Sequence, residues 1–250
     1  MGGNPQAGET FCRRGKAALP QSSVSETLPP SVQGWHRVKG CRPLSGVEVR
    51  RMIESCRGLN RIRDRAFLAL GCASGFRNSE LRSLTRGHLL DETGTMKPLI
   101  EVPRQYMKCK KSSRTIPIGR ETAKYLAELL DEMETRGMNR ASDPLFANRR
   151  TRRVIGAPAA WRLVRRAAIR AGVPTWKVGC HSMRKAAAQR LYPDLLRRHA
   201  RGERVDPLLE TKEFLGHQDV ASTLCYLASV APDSAMRNFE TVEQILTGGE

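Results

Sequence analysis

Only one stretch of this chain has the character of a strand, and that restricts the fold more than any other feature. In "KPLIEVPRQYMKCKKSSRTIPI", Leu99 to Val102 and Thr115 to Ile118 are two β-leaning pieces separated by a polar, basic turn, which predicts a single hairpin. The sequence on either side reads as helix. "LSGVEVRRMIESC" opens one: Ser45 and Glu48 fit a capping box, and Val47, Met52 and Ile53 supply an apolar side. A second helix, about 61 to 73, carries Ala66, Phe67, Leu68 and Leu70. After it, Gly75 permits a tight bend, and Asn78 or Ser79 can cap the next helix. From Glu121, residues Ala123, Leu126, Leu130 and Met133 share a face, and Gly137 ends that helix. Further helices are expected at about 158 to 171, 182 to 192, 207 to 215, 219 to 228 and 234 to 246. The expected architecture is mainly α with a small antiparallel β-sheet, an α+β domain.

Charge narrows the partner. With 43 Lys and Arg against 25 Asp and Glu, the 250-residue chain has a formal net charge of +18, which points to a polyanion because basic side chains on phosphates release counterions. No run of about 18 apolar residues is present and the N-terminus lacks the apolar core of a signal peptide, so a cytoplasmic, DNA-associated protein with no membrane part is expected. The seven cysteines form no C-x-x-C pair, which argues against a zinc site and a disulfide framework and favours reduced, small hydrophobic residues. Residues 1–42, rich in Gly, Pro, Ser and Gln, read as a flexible polar arm; residues 43–233 read as one domain, and 234–250 as a C-terminal helix and tail.

Six residues stand out by order and spacing: Arg77 in "SGFRNSEL", Lys108 in "MKCKKSSRTIPI", His181 and Arg184 in "HSMR", His217 in "FLGH", and Tyr226 nine residues beyond it. Singly, each has a plain reading. An arginine in so basic a chain is usually a solvated charge or a phosphate contact, a lone histidine a satisfied structural residue, and a helix tyrosine a half-buried one. Jointly, they resemble the catalytic domain of the tyrosine recombinases, or phage integrases: a T/S-G-x-R-x-x-E-L box, a lysine on a β-turn, an H-x-x-R box, an L-G-H box, and a tyrosine nine residues after the last His. The resemblance covers residues about 43 to 230.

That resemblance implies the DNA breaking-rejoining fold and site-specific recombination through a covalent 3′-phosphotyrosine. A phenol suits such chemistry: with a pKa of about 10 it leaves phosphorus far more readily than an alkyl hydroxyl, so the cut can be reversed. Tyr226 is then the nucleophile, and Arg77 and Arg184 are guanidinium forks for the negative charge that grows on the non-bridging oxygens. His181 and His217 hydrogen-bond the phosphate, and His181 can take the tyrosine proton. The turn lysine protonates the leaving 5′-oxygen. In family turns it stands early, and the residue nine places before Pro117 is Lys108, with Lys110 as runner-up. Glu80 matches the acidic residue that orients the site. No metal or nucleotide cofactor is implied.

Outside the six, Lys110 and Lys111 and the cluster Arg149, Arg150, Arg152 and Arg153 read as DNA-backbone contacts or solvated charge. Two features depart from the family. The interval from Arg184 to His217 is about ten residues longer than usual, and the excess falls in "YPDLLRRHARGERVD", a basic surface loop by composition. Relatives also carry a helical core-binding domain before the catalytic one, which a forty-residue arm cannot form, so the chain is either a fragment or a minimal recombinase. As in relatives, residues 234–250 are expected to pack on a neighbouring protomer, assembling a tetramer on double-stranded DNA. Two other readings stay open: a type IB topoisomerase-like enzyme that rejoins the same strand, and a non-catalytic DNA-binding module of the same fold.

Overall fold

A computed structural model of the protein describes residues 40–102 and 113–227. The expected arm (but for its last three residues), the turn lysines Lys108, Lys110 and Lys111, and the expected C-terminal helix therefore lie outside the described residues. Among those described, the order is α1 (Gly46–Glu54), α2 (Arg61–Ser74), α3 (Asn78–Ser83), α4 (Arg86–Leu89), β1 (Leu99–Val102), β2 (Arg114–Pro117), α5 (Arg120–Thr135), α6 (Ala157–Arg170), α7 (Cys180–Ala200), α8 (Pro207–Leu215) and α9 (Val220–Leu227). The domain is mainly helical, and β1 and β2 pair antiparallel with Ile100 opposite Ile116 and Val102 opposite Arg114.

α2 is the axis of the core. Its run Ala66 to Leu70 is buried, and Phe67 meets Phe146 edge to face at 5.0 Å. α1, α5 and α7 pack around it, so a helix apolar on several sides is a consequence of having neighbours on several sides. The chain enters this core through Arg42, 2% exposed, whose guanidinium grips Glu48 bidentately at 3.0 and 2.7 Å and donates to the Pro174 carbonyl. Glu48 also closes the capping box with Ser45, so one carboxylate both starts α1 and ties down the segment before it.

Four expectations need correction. Val47, expected on the apolar side of α1, is 67% exposed; Met52 and Ile53 alone of that trio are buried. The N-cap of α3 is Arg77, not Asn78 or Ser79, because Glu80 reaches back to the Arg77 backbone N–H at 2.9 Å and fixes the first turn one residue earlier. The second strand begins at Arg114 and ends at Pro117. The largest change concerns "YPDLLRRHARGERVD": α7 runs on through Pro193 to Ala200, and the connection is Arg201 to Asp206. Proline removes one helical N–H. Leu195, 1% exposed, and the pairs Arg197–Asp194 at 3.1 Å and Arg198–Glu203 at 2.7 Å hold the extension. The additional residues therefore lengthen a helix rather than a loop.

Candidate active site

Two helices end face to face. α2 closes on Gly75 with φ +60°, and α8 closes on Gly216 with φ +61°. Each end leaves carbonyls without helical partners and presents the negative pole of its peptide dipoles. Three guanidinium groups fill the gap between them. Arg184 donates from Nη1 to the Gly75 carbonyl and from Nη2 to the Leu215 carbonyl, both at 2.6 Å. Arg77 donates from Nη2 to the Gly216 carbonyl at 2.9 Å. Arg114, on β2, donates to the carbonyls of Ser74 at 2.7 Å and Phe214. The three consecutive carbonyls 214 to 216 thus serve three different arginines, so "FLGH" contributes its backbone as well as its histidine.

Glu80, 0% exposed, supplies negative charge from α3: its Oε1 accepts from Arg77 Nη1 at 2.7 Å and its Oε2 from Arg114 Nη1 at 3.4 Å. Three guanidinia against this carboxylate leave an excess of positive charge. Burial, then the Arg184 charge, brings the Arg114 pKa down to about 9, with Glu80 opposing. Burial and Arg77 likewise lower that of Arg184, which Tyr226 and Glu80 hold up. With its pKa at about 9, Arg114 remains charged at neutral pH. A surplus of forked donors at two helix ends suits an anion with several oxygens.

The rings close one side. His217 and Tyr226 meet at 4.9 Å between centroids with an interplanar angle of 66°, and the Arg184 Cζ lies 5.7 Å from the Tyr226 centroid. His217 Nδ1 pairs with the buried Thr223 hydroxyl at 2.9 Å. With that hydroxyl donating to Nδ1, the neutral ring carries its proton on Nε2 as a donor. Burial, then Arg184 and Arg77, pushes the His217 pKa down to about 3, so the ring is neutral at pH 7. His181 opens α7 one turn before Arg184 with an edge exposed to solvent. Partial burial and the charges of Arg184, Lys185 and Arg77 lower its pKa as well.

Arg77, Glu80, Arg184, His217 and Tyr226 therefore meet, with His181 adjoining. The Arg149–Arg153 cluster does not join them. It occupies an exposed turn closed by the Ala147–Val154 bridge, where the Asn148 side chain accepts from the N–H groups of Arg150 and Thr151. Arg149 pairs with Glu132 at 2.6 Å. Arg152 and Arg153 line a groove with Ser79 and Arg82 of α3, whereas Arg149 and Arg150 line a different cavity with Arg63, Arg162 and Arg166. Two residues of the site were not singled out as such from the sequence. Arg114 stands three residues before Pro117 in the quoted turn, and its place beside Glu80 follows from how β2 meets α3. Lys185, 6% exposed, has its Nζ 5.6 Å over the Tyr226 ring.

The chain is similar to known proteins in sequence and in fold. Residues 42–231 match the phage integrase family. The chain is 29% identical over 193 residues to tyrosine recombinase XerD of Haemophilus ducreyi, an overlap that takes in 76% of this chain and 59% of that protein. Among solved structures, XerA recombinase superposes with a TM-score of 0.60 at 25% identity, covering 82% of this chain and 66% of that one. The XerH site-specific recombinase bound to palindromic difH substrate, a post-cleavage complex, has the same fold, with a TM-score of 0.60 at 22% identity over 82% of this chain and 54% of that one. The chain thus spans little more than half the length of the XerD protein it matches. Among the described residues, no helix is long and apolar enough to cross a membrane.

Proposed function

Because this chain belongs to the phage integrase family, we propose that it cuts and rejoins DNA strands at specific sites through a covalent 3′-phosphotyrosine at Tyr226. The observation that carries this reading is the excess of guanidinium over carboxylate at the meeting of two helix ends, with a phenol in the same pocket. A phosphodiester placed there takes over forked donors of Arg77 and Arg184 that otherwise rest on main-chain carbonyls, and the exchange of a neutral acceptor for an anionic one favours the bound state.

The steps balance without an external energy source. Tyr226 Oη bonds to phosphorus as the P–O5′ bond breaks; the phenolic proton passes to His181, and the 5′-oxygen receives a proton from the turn lysine, Lys108 or its runner-up Lys110. Arg77, Arg184 and neutral His217 hold the non-bridging oxygens where charge accumulates. Glu80 and Arg114 keep the two arginine forks in register. Lys110, Lys111, Arg149, Arg150, Arg152 and Arg153 are proposed DNA-backbone contacts. Assembly into a tetramer on two DNA sites through residues 234–250 belongs to the same reading, and the relative crystallised on its difH substrate supports double-stranded DNA as the partner.

The test uses duplexes selected for binding to the protein and nicked so that cleavage cannot reverse. Wild type should give a protein–DNA adduct that survives denaturing electrophoresis. Tyr226→Phe should give none while binding DNA within about twofold of wild type. An adduct from the Phe variant overturns the assignment of Tyr226, and no adduct from wild type on any selected duplex overturns the enzyme reading.

A further inference from the structure

Lys185 presents a problem of charge. It follows Arg184 on α7, is almost wholly buried, and stands beside a site that already holds Arg77, Arg114 and Arg184 against Glu80. Burying one more ammonium where positive charge is in surplus is costly unless something nearby answers it. A lysine with a purely structural role would send its stem across the core and its head to water. This one instead has its Nζ 5.6 Å over the face of the Tyr226 ring, while the Arg184 guanidinium approaches the same ring at 5.7 Å and His217 meets it edge to face.

We propose that Lys185 is a positioning residue for Tyr226: its ammonium holds the phenol ring beside Arg184 and His217 and offsets the negative charge on the phenolic oxygen whenever that oxygen is bonded to neither hydrogen nor phosphorus. The inference rests on the reading of Tyr226 as nucleophile. Arg184 has both Nη atoms on carbonyls and also pairs with the Tyr226 side chain, and in the proposed reaction it is drawn to the phosphate. A second cation on the ring lets charge on phosphorus and charge on the phenol be met by different groups. The ring π-face is one of the groups that answer the ammonium in the resting protein, and the phenolate answers it more strongly during cleavage and resealing. The same contact serves both directions, since the tyrosine oxygen is nucleophile in one and leaving group in the other. No added oxidant, reductant or co-reactant is involved.

The experiment compares wild type, Lys185→Met, which keeps the stem and removes the charge, and Lys185→Arg, which restores a cation. On the nicked duplexes Lys185→Met should slow both adduct formation and resealing about tenfold, and Lys185→Arg should recover most of the loss. Placing 3,5-difluorotyrosine at position 226, an electron-poor phenol that carries negative charge unaided, should restore Lys185→Met to within about threefold of wild type. A packing role predicts no such rescue. Rates within twofold of wild type in Lys185→Met, or no gain from the fluorinated ring, overturn the proposal. A separate reading needs no DNA: the 19F resonance of 3-fluorotyrosine at 226 should move in Lys185→Met and return in Lys185→Arg. An unmoved resonance overturns the contact even if wild type never cleaves DNA, which separates failure of this inference from failure of the enzyme reading.

Discussion

His217 is held neutral by the same arginines that make the site attractive to phosphate, and this ties the fold to pH. Its pKa in the folded protein is about 3, set by burial and by Arg184 and Arg77, whereas an unfolded histidine titrates near roughly 6.5. Between those values the unfolded chain takes up a proton that the folded one refuses, so stability is complete above about pH 6.5 and falls as the pH drops toward 3, by at most about 1.4 kcal/mol per unit and less for a half-buried ring. His181, lowered in the same direction, adds to the loss, so the informative quantity is the difference between wild type and His217→Gln, whose amide can still pair with Thr223. Urea midpoints from pH 7 to 4 should fall less steeply for the Gln variant. Parallel slopes would show that His217 takes up its proton in the folded state. At this scale most of the site was legible: Arg77, Glu80, His181, Arg184, His217 and Tyr226 each carry a motif position. Lys185 was not legible as a site residue, because no spacing rule places an ammonium over a particular ring. Arg114 stood within a quoted turn, but its burial against Ser74, Phe214 and Glu80 depends on how three separate elements meet.

At the level of elements, the site depends on two helix ends stopping where they do, and Gly75 shows how narrow the tolerance is. Its φ is +60°, and a Cβ there would stand 3.1 Å from Leu215 Cδ2 and from Phe214 Cε1, and 3.4 Å from Ala187 Cβ. Gly75→Ala therefore meets left-handed backbone strain and the end of α8 together, costing about 1–3 kcal/mol, and pushes apart the carbonyls that hold Arg184 and Arg114. Gly137, with φ +65° and nothing within 4 Å, is the control: Ala there meets the backbone term alone, about 1 kcal/mol. Urea denaturation should separate the two variants. Single-turnover adduct formation should drop at least tenfold for Gly75→Ala and hardly at all for Gly137→Ala; equal effects would remove the helix-end account. The element order was legible because helix periods and the hairpin alternation are local properties. What failed was also local. Pro193 and a run of arginines looked like a loop, and a buried Leu195 with two ion pairs outweighed them. Val47 fell on a helical face that no neighbour covers.

For the molecule as a whole, the question is whose tyrosine serves whose phosphate. Tyr226 lies against Arg184 and His217 of its own chain. Only Gly216 to Asp219 separate α8 from α9, and that link is itself fastened: Asp219 accepts from the Ser222 N–H at 2.6 Å and from its hydroxyl at 3.0 Å, while His217 pairs with Thr223 across it. α9 also packs on α7 and α8. Delivering Tyr226 to a neighbouring protomer would mean unmaking these contacts and stripping Arg184 and Lys185 of their aromatic partner, in a site whose positive charge is already in excess. Cleavage is therefore expected in cis. Two variants expected to be inactive test it: Tyr226→Phe keeps the arginine cradle without the proposed nucleophile, and Arg184→Ala keeps that tyrosine beside a broken cradle. Mixed on the same nicked duplex, they should form no more adduct than either alone, because no protomer contains a complete set. Donation in trans would let the Arg184→Ala tyrosine enter the Tyr226→Phe cradle, and the mixture would recover a substantial fraction of wild-type adduct. Such recovery would mean that α9 leaves its own core on assembly, and that the contacts of Tyr226 with Arg184, Lys185 and His217 belong to the resting protomer alone.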